Sequence, residues 1–197
     1  MTPIEALERA RRRSAVWIGV GLILMAAVYV RALAFTPVEV VQGPAQKIFY
    51  IHVPSAWVAF LAFGILGVTS AVYLFLKDPR LDLFAASTAE VGMVFTTAVL
   101  VTGPIWGKPI WGTWWTWDAR LTLMLFLWFV VVAYLVLRTA VHEPAQRARY
   151  SAVLGILGAL LVPFIHVSVY LFRTMHPLPV VLRPGGPSLP GDMLATL

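Results

Sequence analysis

A tryptophan-rich segment at positions 104–120, PIWGKPIWGTWWTWDAR, is the first place to look for chemistry. It holds five of the chain's eight tryptophans, at Trp106, Trp111, Trp114, Trp115 and Trp117. Between Trp111 and Asp118, four residues have the i, i+3, i+4, i+7 spacing that shares one helix face, which predicts a short interfacial helix. An aromatic belt at the membrane boundary is the alternative. So many indoles among Gly and Pro favour a surface that binds a large, flat, apolar ligand.

Two histidines are candidates for binding a metal in that ligand. His52 lies two residues before Pro54, a residue that suits the first turn of a helix, and the positive end of that helix favours a neutral, metal-binding imidazole. His176 follows the last apolar run. Because haem iron accepts two axial imidazoles and a porphyrin is flat, His52 and His176 are candidate ligands of haem iron. For either histidine alone, a structural role without metal is the alternative. His166, about 9 Å inside the end of that run, is a reserve candidate, and His142 is predicted to be solvated.

Cations near these elements are suited to the two haem propionates. Lys108 and Arg120 belong to the tryptophan-rich segment, and Arg173 and Arg183 follow the last apolar run. Arginine pairs with a carboxylate through two parallel hydrogen bonds. The alternative for each of these cations is a role as an interfacial anchor, whose long side chain lies along apolar surface and places its charge in water. Asp118 precedes ARLTLML and is predicted to be a helix N-cap that also positions the loop.

Composition places these residues in a membrane protein. Of 197 residues, 60% are apolar and only 12% are charged, and the mean hydropathy is +0.83; soluble proteins have about a quarter charged residues. A bilayer-spanning helix needs about 20 apolar residues. Apolar runs of that length predict membrane helices near 14–35, 55–76, 83–103, 121–140 and 150–172. The sequence therefore predicts an all-α, polytopic helix bundle that forms a single domain over residues 1–197.

Basic residues predict the orientation of this bundle. They are concentrated in the RARRR run at 9–13, just before the first apolar run. Since Lys and Arg favour the cytoplasmic side of short loops, we predict a cytoplasmic N-terminus and an external tryptophan-rich segment in the cytoplasmic membrane. The net charge of +6 then reflects topology. No nucleic-acid-binding motif is present, so nucleic acid is not a predicted partner.

Residue types exclude several other chemistries. The chain has no cysteine, so it has no C-x-x-C-H attachment site, and any haem must be held non-covalently, as b-type haem. It has no G-x-x-x-x-G-K-[ST] loop, so any use of ATP belongs to a partner. We find no Ser–His–Asp set at usable spacing and no metal-hydrolase motif, and we expect binding and transfer rather than catalysis.

These motifs resemble the tryptophan-rich "WWD" family of haem-handling membrane proteins, and in detail its CcmC members, which act in cytochrome c maturation. The resemblance rests on IFYIHVPSAW, WGKPIWGTWWTWDARLT, PFIHVSV and TMHP, and covers about residues 47–177. It implies axial ligands at His52 and His176 and a haem platform from Trp106 to Asp118. It also implies that haem is presented on the outer face and passed to the chaperone CcmE. An ATP-binding-cassette complex of CcmA and CcmB, with the small protein CcmD, then releases the loaded chaperone.

Two features have no place in this family pattern. The resemblance implies six membrane helices with both termini inside, and a sixth is expected to begin at GDMLATL, where the sequence given ends. Glu90 lies within the third apolar run, where an ionisable group is a functional candidate by default. A carboxyl hydrogen-bonded to a neighbouring hydroxyl is the alternative for Glu90.

Two other functions compete with haem presentation. A transporter or permease subunit that carries haem through the bilayer needs a polar path between helices, for which Glu90 and His166 are the only intramembrane candidates. A b-type electron-transfer subunit needs paired histidines facing each other within the membrane. Only His166 lies at that depth, so the sequence disfavours this second alternative.

The predicted orientation is tested by labelling single cysteines introduced into this cysteine-free chain. Thr113→Cys is expected to react with a membrane-impermeant maleimide from outside intact cells. The Lys77–Asp82 loop, between the second and third apolar runs, is predicted to be cytoplasmic. Asp78→Cys, the matched variant in that loop, is expected to react only after the membrane is opened. The reverse pattern would contradict an external site.

Overall fold

The computed structural model describes residues 3–197 and confirms an all-α fold with five membrane-length helices. These are α1 (Pro3–Val30), α2 (Phe49–Leu76), α3 (Pro79–Trp111), α4 (Ala119–Ala140) and α5 (Pro144–Leu171). A π-helical turn (Arg31–Phe35) extends α1, a 3₁₀ turn (Pro44–Ile48) leads into α2, and a short helix, α6 (Gly191–Leu194), lies near the C-terminus. All the predicted spans are present, and α3 runs beyond both predicted ends.

Helices α2 to α5 form one packed bundle. Its core is a single apolar cluster that includes Phe63 and Leu66 of α2 and Leu127 and Val131 of α4. Glycine allows α2 and α5 to approach closely. A Cβ atom added to Gly67 of α2 would lie 2.3 Å from the Cβ of Ala159, a distance that real structures do not tolerate. Close helix approach through small residues is how membrane helices gain packing energy without a hydrophobic driving force.

Helix α1 is joined to this bundle at one end only. Its membrane-spanning side chains are almost all exposed, Trp17 among them. At its C-terminal end, the ammonium group of Lys47 donates to the carbonyl oxygens of Ala32 (3.0 Å), Leu33 (2.8 Å) and Thr36 (2.7 Å). A cation at this position satisfies carbonyls that have no partner within the helix.

The predicted interfacial helix in the tryptophan-rich segment is wrong. Helix α3 continues through Pro104 and Pro109 and ends at Trp111, because Gly112 takes the left-handed conformation (φ 75°) that terminates helices. Residues 112–118 are irregular. The N-cap prediction for Asp118 is confirmed: its carboxylate accepts from the backbone N–H groups of Arg120 (3.0 Å) and Leu121 (3.1 Å). The C-cap of α3 at Gly112 and the N-cap of α4 at Asp118 are six residues apart, and the segment between them forms no helix of its own.

The segment after α5 folds over the bundle end that carries the tryptophans, here called the tryptophan end. Val180, Val181, Leu189, Met193 and Leu197 pack against a cluster that contains Phe49, Tyr50 and Trp106. The side chain of Arg31 donates to the hydroxyl of Thr196 (3.1 Å), which links the end of α1 to the same layer. The tryptophan end is therefore covered by two parts of the chain, the end of α1 and the segment after α5.

A buried ion pair lies at the opposite end of the bundle. Arg138 of α4 contacts Asp82 of α3 through two hydrogen bonds of 2.5 and 3.0 Å, and both side chains are at most 13% exposed. Short connections join the helices at this end into antiparallel hairpins: two residues, 77–78, separate α2 from α3, and three, 141–143, separate α4 from α5.

Asp82→Asn is expected to destabilise the bundle by about 3 kcal/mol or more, because it leaves the buried Arg138 guanidinium without a counter-charge. The measurement is helix unfolding in detergent, followed by circular dichroism. Asp78→Asn is the matched control, since Asp78 is an N-cap that accepts from the N–H of Arg80 and Asn caps equally well. Equal stability of the two variants would contradict a structural role for the pair.

Candidate functional site

His52 lies in the first turn of α2, with its side chain buried against α3. Its Nδ1 atom is 2.9 Å from the hydroxyl oxygen of Thr102, and that hydroxyl is 2.7 Å from the carbonyl oxygen of Ala98. A hydroxyl has one proton, and a carbonyl only accepts. Thr102 therefore donates to Ala98 and accepts from His52, which places the imidazole proton on Nδ1. The Nε2 atom, which no described group contacts by hydrogen bond, keeps its lone pair.

Two further groups on α3 fix the His52 ring. A Cβ atom added to Gly103 would lie 3.3 Å from Cε1 of His52, so a bare backbone is needed beside the ring. The indole of Trp106 packs edge-on, with ring centroids 5.8 Å apart and an interplanar angle of 71°. Both the position and the tautomer of His52 are therefore set by one stretch of α3.

His176 reaches the same end of the bundle from the segment after α5. Its Nδ1 atom is 2.8 Å from the carbonyl oxygen of Pro177, which only accepts, so Nδ1 again carries the proton and Nε2 is free. Burial, followed by the positive charge of Arg120, lowers the pKa of His176 to about 3. At pH 7 the imidazole is therefore neutral, the form that binds metal.

Arg120 stands between the elements that carry the two histidines. It lies at the start of α4 and donates from Nη1 to the carbonyl oxygen of Ile165 on α5 (3.3 Å). Positive charge on Arg120 or on a protonated His52 lowers the pKa of His176, and the Asp118 carboxylate raises it, so these groups lie within electrostatic range of His176. The structure thus brings together four predicted site residues that are separated by up to 124 positions in sequence.

The five tryptophans of the segment do not form one continuous surface. Trp106 is part of the packed interior: its indole N–H donates to the side-chain oxygen of Gln42 (3.0 Å), and its ring packs against Phe49. Trp111 folds back on its own helix, where its ring fills the space that a side chain at Gly107 would occupy. These two indoles serve chiefly to shape the tryptophan end.

The other three indoles remain available to a ligand. Trp114 and Trp117 are 58% and 76% exposed. Trp115 packs edge-on against Trp117, with centroids 5.7 Å apart, and its buried indole N–H has no hydrogen-bond partner among the described residues. Exposed aromatic faces beside a buried donor that lacks an acceptor suit a flat ligand with polar substituents.

The predicted cations occupy different environments. Lys108 is exposed and donates to the carbonyl oxygen of Gly112 (2.9 Å), so it helps to end α3. Arg173 and Arg183 are exposed, and no side-chain hydrogen bond holds either of them in the described part of the chain. Arg120 alone among the predicted cations is both partly buried and within electrostatic reach of the histidines.

His166 and Glu90 lie away from this site. His166 is exposed on α5, beside the ring of Tyr170 at a centroid distance of 6.3 Å. Glu90 is exposed on α3 and makes neither a hydrogen bond nor an ion pair with any described residue. The hydroxyl partner considered for Glu90 is therefore not present within residues 3–197, and the two residues do not face a common path inside the bundle.

Sequence reasoning did not identify Thr102, Gly103 or Gln42 as part of the site. Each contacts a residue at least 50 positions away, and a lone Thr or Gln in an apolar chain gives no signal for such a contact. The only available signal is the position of Thr102 and Gly103 immediately before the tryptophan-rich segment.

The residues of the tryptophan end fit haem as a bound cargo. Two neutral imidazoles have free Nε2 atoms, the exposed indoles offer flat apolar area, and Arg120 supplies positive charge. Within residues 3–197, no three His, Cys, Asp or Glu side chains are grouped to hold a bare metal ion. Two imidazoles suffice for a metal that arrives already held by a porphyrin.

The fold defines an all-α, polytopic membrane protein whose unusual side chains lie at one end. The family described as Heme exporter protein C (CcmC) matches residues 2–197. A Heme exporter protein C from Bradyrhizobium diazoefficiens is 37% identical over 92% of this chain and 69% of its own length, and one from Haemophilus influenzae is 36% identical over 89% and 72%. A putative cytochrome c biosynthesis ccmC-like mitochondrial protein of Marchantia polymorpha is 34% identical over 84% and 70%. The chain belongs to the Heme exporter protein C family.

Proposed function

We propose that this protein binds haem at the tryptophan end, with iron between His52 and His176, and delivers it to the haem chaperone CcmE. Membership of the family supports a role in haem handling for cytochrome c maturation, and the name of the family describes export rather than catalysis. The observation that carries the ligand assignment is the state of the two imidazoles. In each imidazole the Nδ1–H group donates to an acceptor and Nε2 is free, and both imidazoles lie at the same end of the bundle.

The other residues of the site take separate parts in this proposal. Trp114, Trp115 and Trp117 form the aromatic surface against which the porphyrin lies, supported by Trp106 and Trp111. Arg120, with Lys108 at the rim, attracts the propionates. Asp118 holds Arg120 in place by capping α4. Haem is bound without a covalent link, as b-type haem, because the chain has no cysteine.

The membrane setting of the proposal follows from charge and topology. The basic run at 9–13 favours a cytoplasmic N-terminus, an orientation in which the tryptophan end faces the outside of the cytoplasmic membrane. There the site is accessible to CcmE. Release of the loaded chaperone requires ATP, for which this chain has no binding loop, and the proposed source is the CcmA–CcmB complex with CcmD.

Transport of haem through this chain is less well supported. A permease needs polar groups that line a route across the bundle. Glu90 and His166 are exposed on the outside of their helices. Buried polar side chains such as Ser70, Ser151 and the Asp82–Arg138 pair lie in the half opposite the histidines. A b-type electron-transfer role lacks the pair of facing histidines within the membrane.

His52→Ala and His176→Ala are each expected to change the visible spectrum of the haem-loaded protein from bis-imidazole to single-imidazole, and to stop transfer to CcmE. Losing one imidazole opens a coordination position without removing the aromatic surface. Added imidazole should partly restore the spectrum. His142→Ala, in a solvent-exposed loop, is the matched control and should leave the spectrum unchanged. An unaltered spectrum in His176→Ala would move the second ligand to His166.

Replacing Trp114 and Trp115 together by Ala is expected to weaken haem retention by roughly tenfold or more, since each aromatic contact contributes about 1 kcal/mol. Retention is measured as the rate at which the purified protein loses haem to a scavenger. Trp17→Ala, which removes an exposed indole from α1, controls for a general effect on membrane anchoring. If both variants lose haem at the same rate, the tryptophans form only an interfacial belt, and the proposed haem-binding surface is contradicted.

A further inference from the structure

Thr102 is the one α3 side chain that forms a hydrogen bond with the proposed iron ligand His52. The two residues are 50 positions apart in sequence and are brought together by the antiparallel packing of α2 on α3. The hydroxyl is 2.7 Å from the carbonyl oxygen of Ala98 and 2.9 Å from Nδ1 of His52. If the hydroxyl donated to Nδ1 instead, two unprotonated oxygens would face each other at 2.7 Å. Donation to Ala98 is therefore the arrangement that satisfies every group.

The same arrangement occurs one and a half turns earlier on α3. The hydroxyl of Thr97 is 2.8 Å from the carbonyl oxygen of Met93 and 2.9 Å from Nε1 of Trp128. An indole nitrogen only donates, so there the hydroxyl must accept from the ring while it donates to its own helix. Thr97 and Trp128 are therefore a second pair in this protein in which a threonine hydroxyl accepts from a ring N–H while it donates to its own helix.

A threonine that satisfies only its own hydroxyl makes a simpler pattern of hydrogen bonds. Thr88 and Thr96 also donate to the carbonyl four residues earlier, at 2.8 and 2.7 Å, and no ring nitrogen contacts either of them. A threonine that only satisfied its own hydroxyl would resemble these two. Thr102 differs by its second bond, which falls on the one imidazole nitrogen that is not available to iron in the proposed site.

We propose that Thr102 is a positioning residue for haem ligation: it accepts the Nδ1 proton of His52, so that the ring is held as one tautomer with Nε2 free for iron. The acceptor also makes Nε2 a stronger electron donor, as the outer partners of metal-bound histidines do. The role toward iron rests on the proposed function, whereas the tautomer of His52 is a property of the protein alone.

The tautomer is measured on the haem-free protein in nanodiscs, labelled with ¹⁵N-histidine, at mildly alkaline pH. The chain has four histidines, so single His→Gln variants assign the signals. We expect His52 to be protonated at Nδ1 in the native protein and in Thr102→Ser. Thr102→Val keeps the side-chain shape and removes the acceptor, and should shift His52 to a mixture of tautomers. Thr88→Val, the same change elsewhere on the helix, should leave His52 unaffected.

The same variants are then loaded with haem. Thr102→Val is expected to lower haem affinity by about 10- to 100-fold and to raise the reduction potential, because a less basic imidazole stabilises ferric iron less. Thr102→Ser should restore both properties. An Nε2-protonated His52 in the native protein, or a Thr102→Val protein with native tautomer, affinity and potential, would overturn the inference. If His52→Ala instead leaves the haem spectrum unchanged, the proposed ligand fails while the apo tautomer result still stands.

Discussion

The hydrogen bond between His52 and Thr102 ties the chemistry of this protein to the packing of α2 on α3. His52 is buried, and a buried ring N–H without an acceptor costs about 1–3 kcal/mol. That cost ties the first turn of α2 to the last three turns of α3. Gly103 and Trp106 lie on the same stretch of α3 and contact the same ring. Whatever fixes α3 therefore also fixes the direction in which Nε2 points.

The membrane helices were predictable because a bilayer demands long apolar runs, and these runs are plain in the sequence. The end of α3 was not, since Gly103–Pro104 has the composition of a helix break. The helix nevertheless continues for eight residues beyond Gly103. Proline is tolerated in membrane helices where neighbouring groups satisfy the freed carbonyl, so a rule that holds in water fails here. The helical spacing from Trp111 to Asp118 was misleading for a related reason: it ignored the stop signal at Gly112.

The candidate site was predictable in part. His52, His176, Arg120 and Asp118 were chosen as candidates from residue type and position near helix ends, and in the structure they lie within electrostatic range of one another. The different environments of the five tryptophans were not predictable, because they depend on which indole contacts Gly107, Gln42 or solvent. Those contacts join different elements, and neither periodicity nor composition carries information about them. Thr102 was missed for the same reason.

The positive charge of Arg120 is suited to two parts of the proposed haem complex, the iron-binding imidazole and the propionates. Arg120 is held by the start of α4, and the Asp118 carboxylate beside it bonds to backbone N–H groups rather than to the guanidinium in any described contact. Its positive charge opposes protonation of the neighbouring imidazole, which is part of why the pKa of His176 lies near 3. The same charge attracts carboxylates such as propionates. In the proposed site, this guanidinium therefore adds to the effect of burial in keeping the His176 imidazole neutral, and its charge is complementary to the anionic edge of a porphyrin.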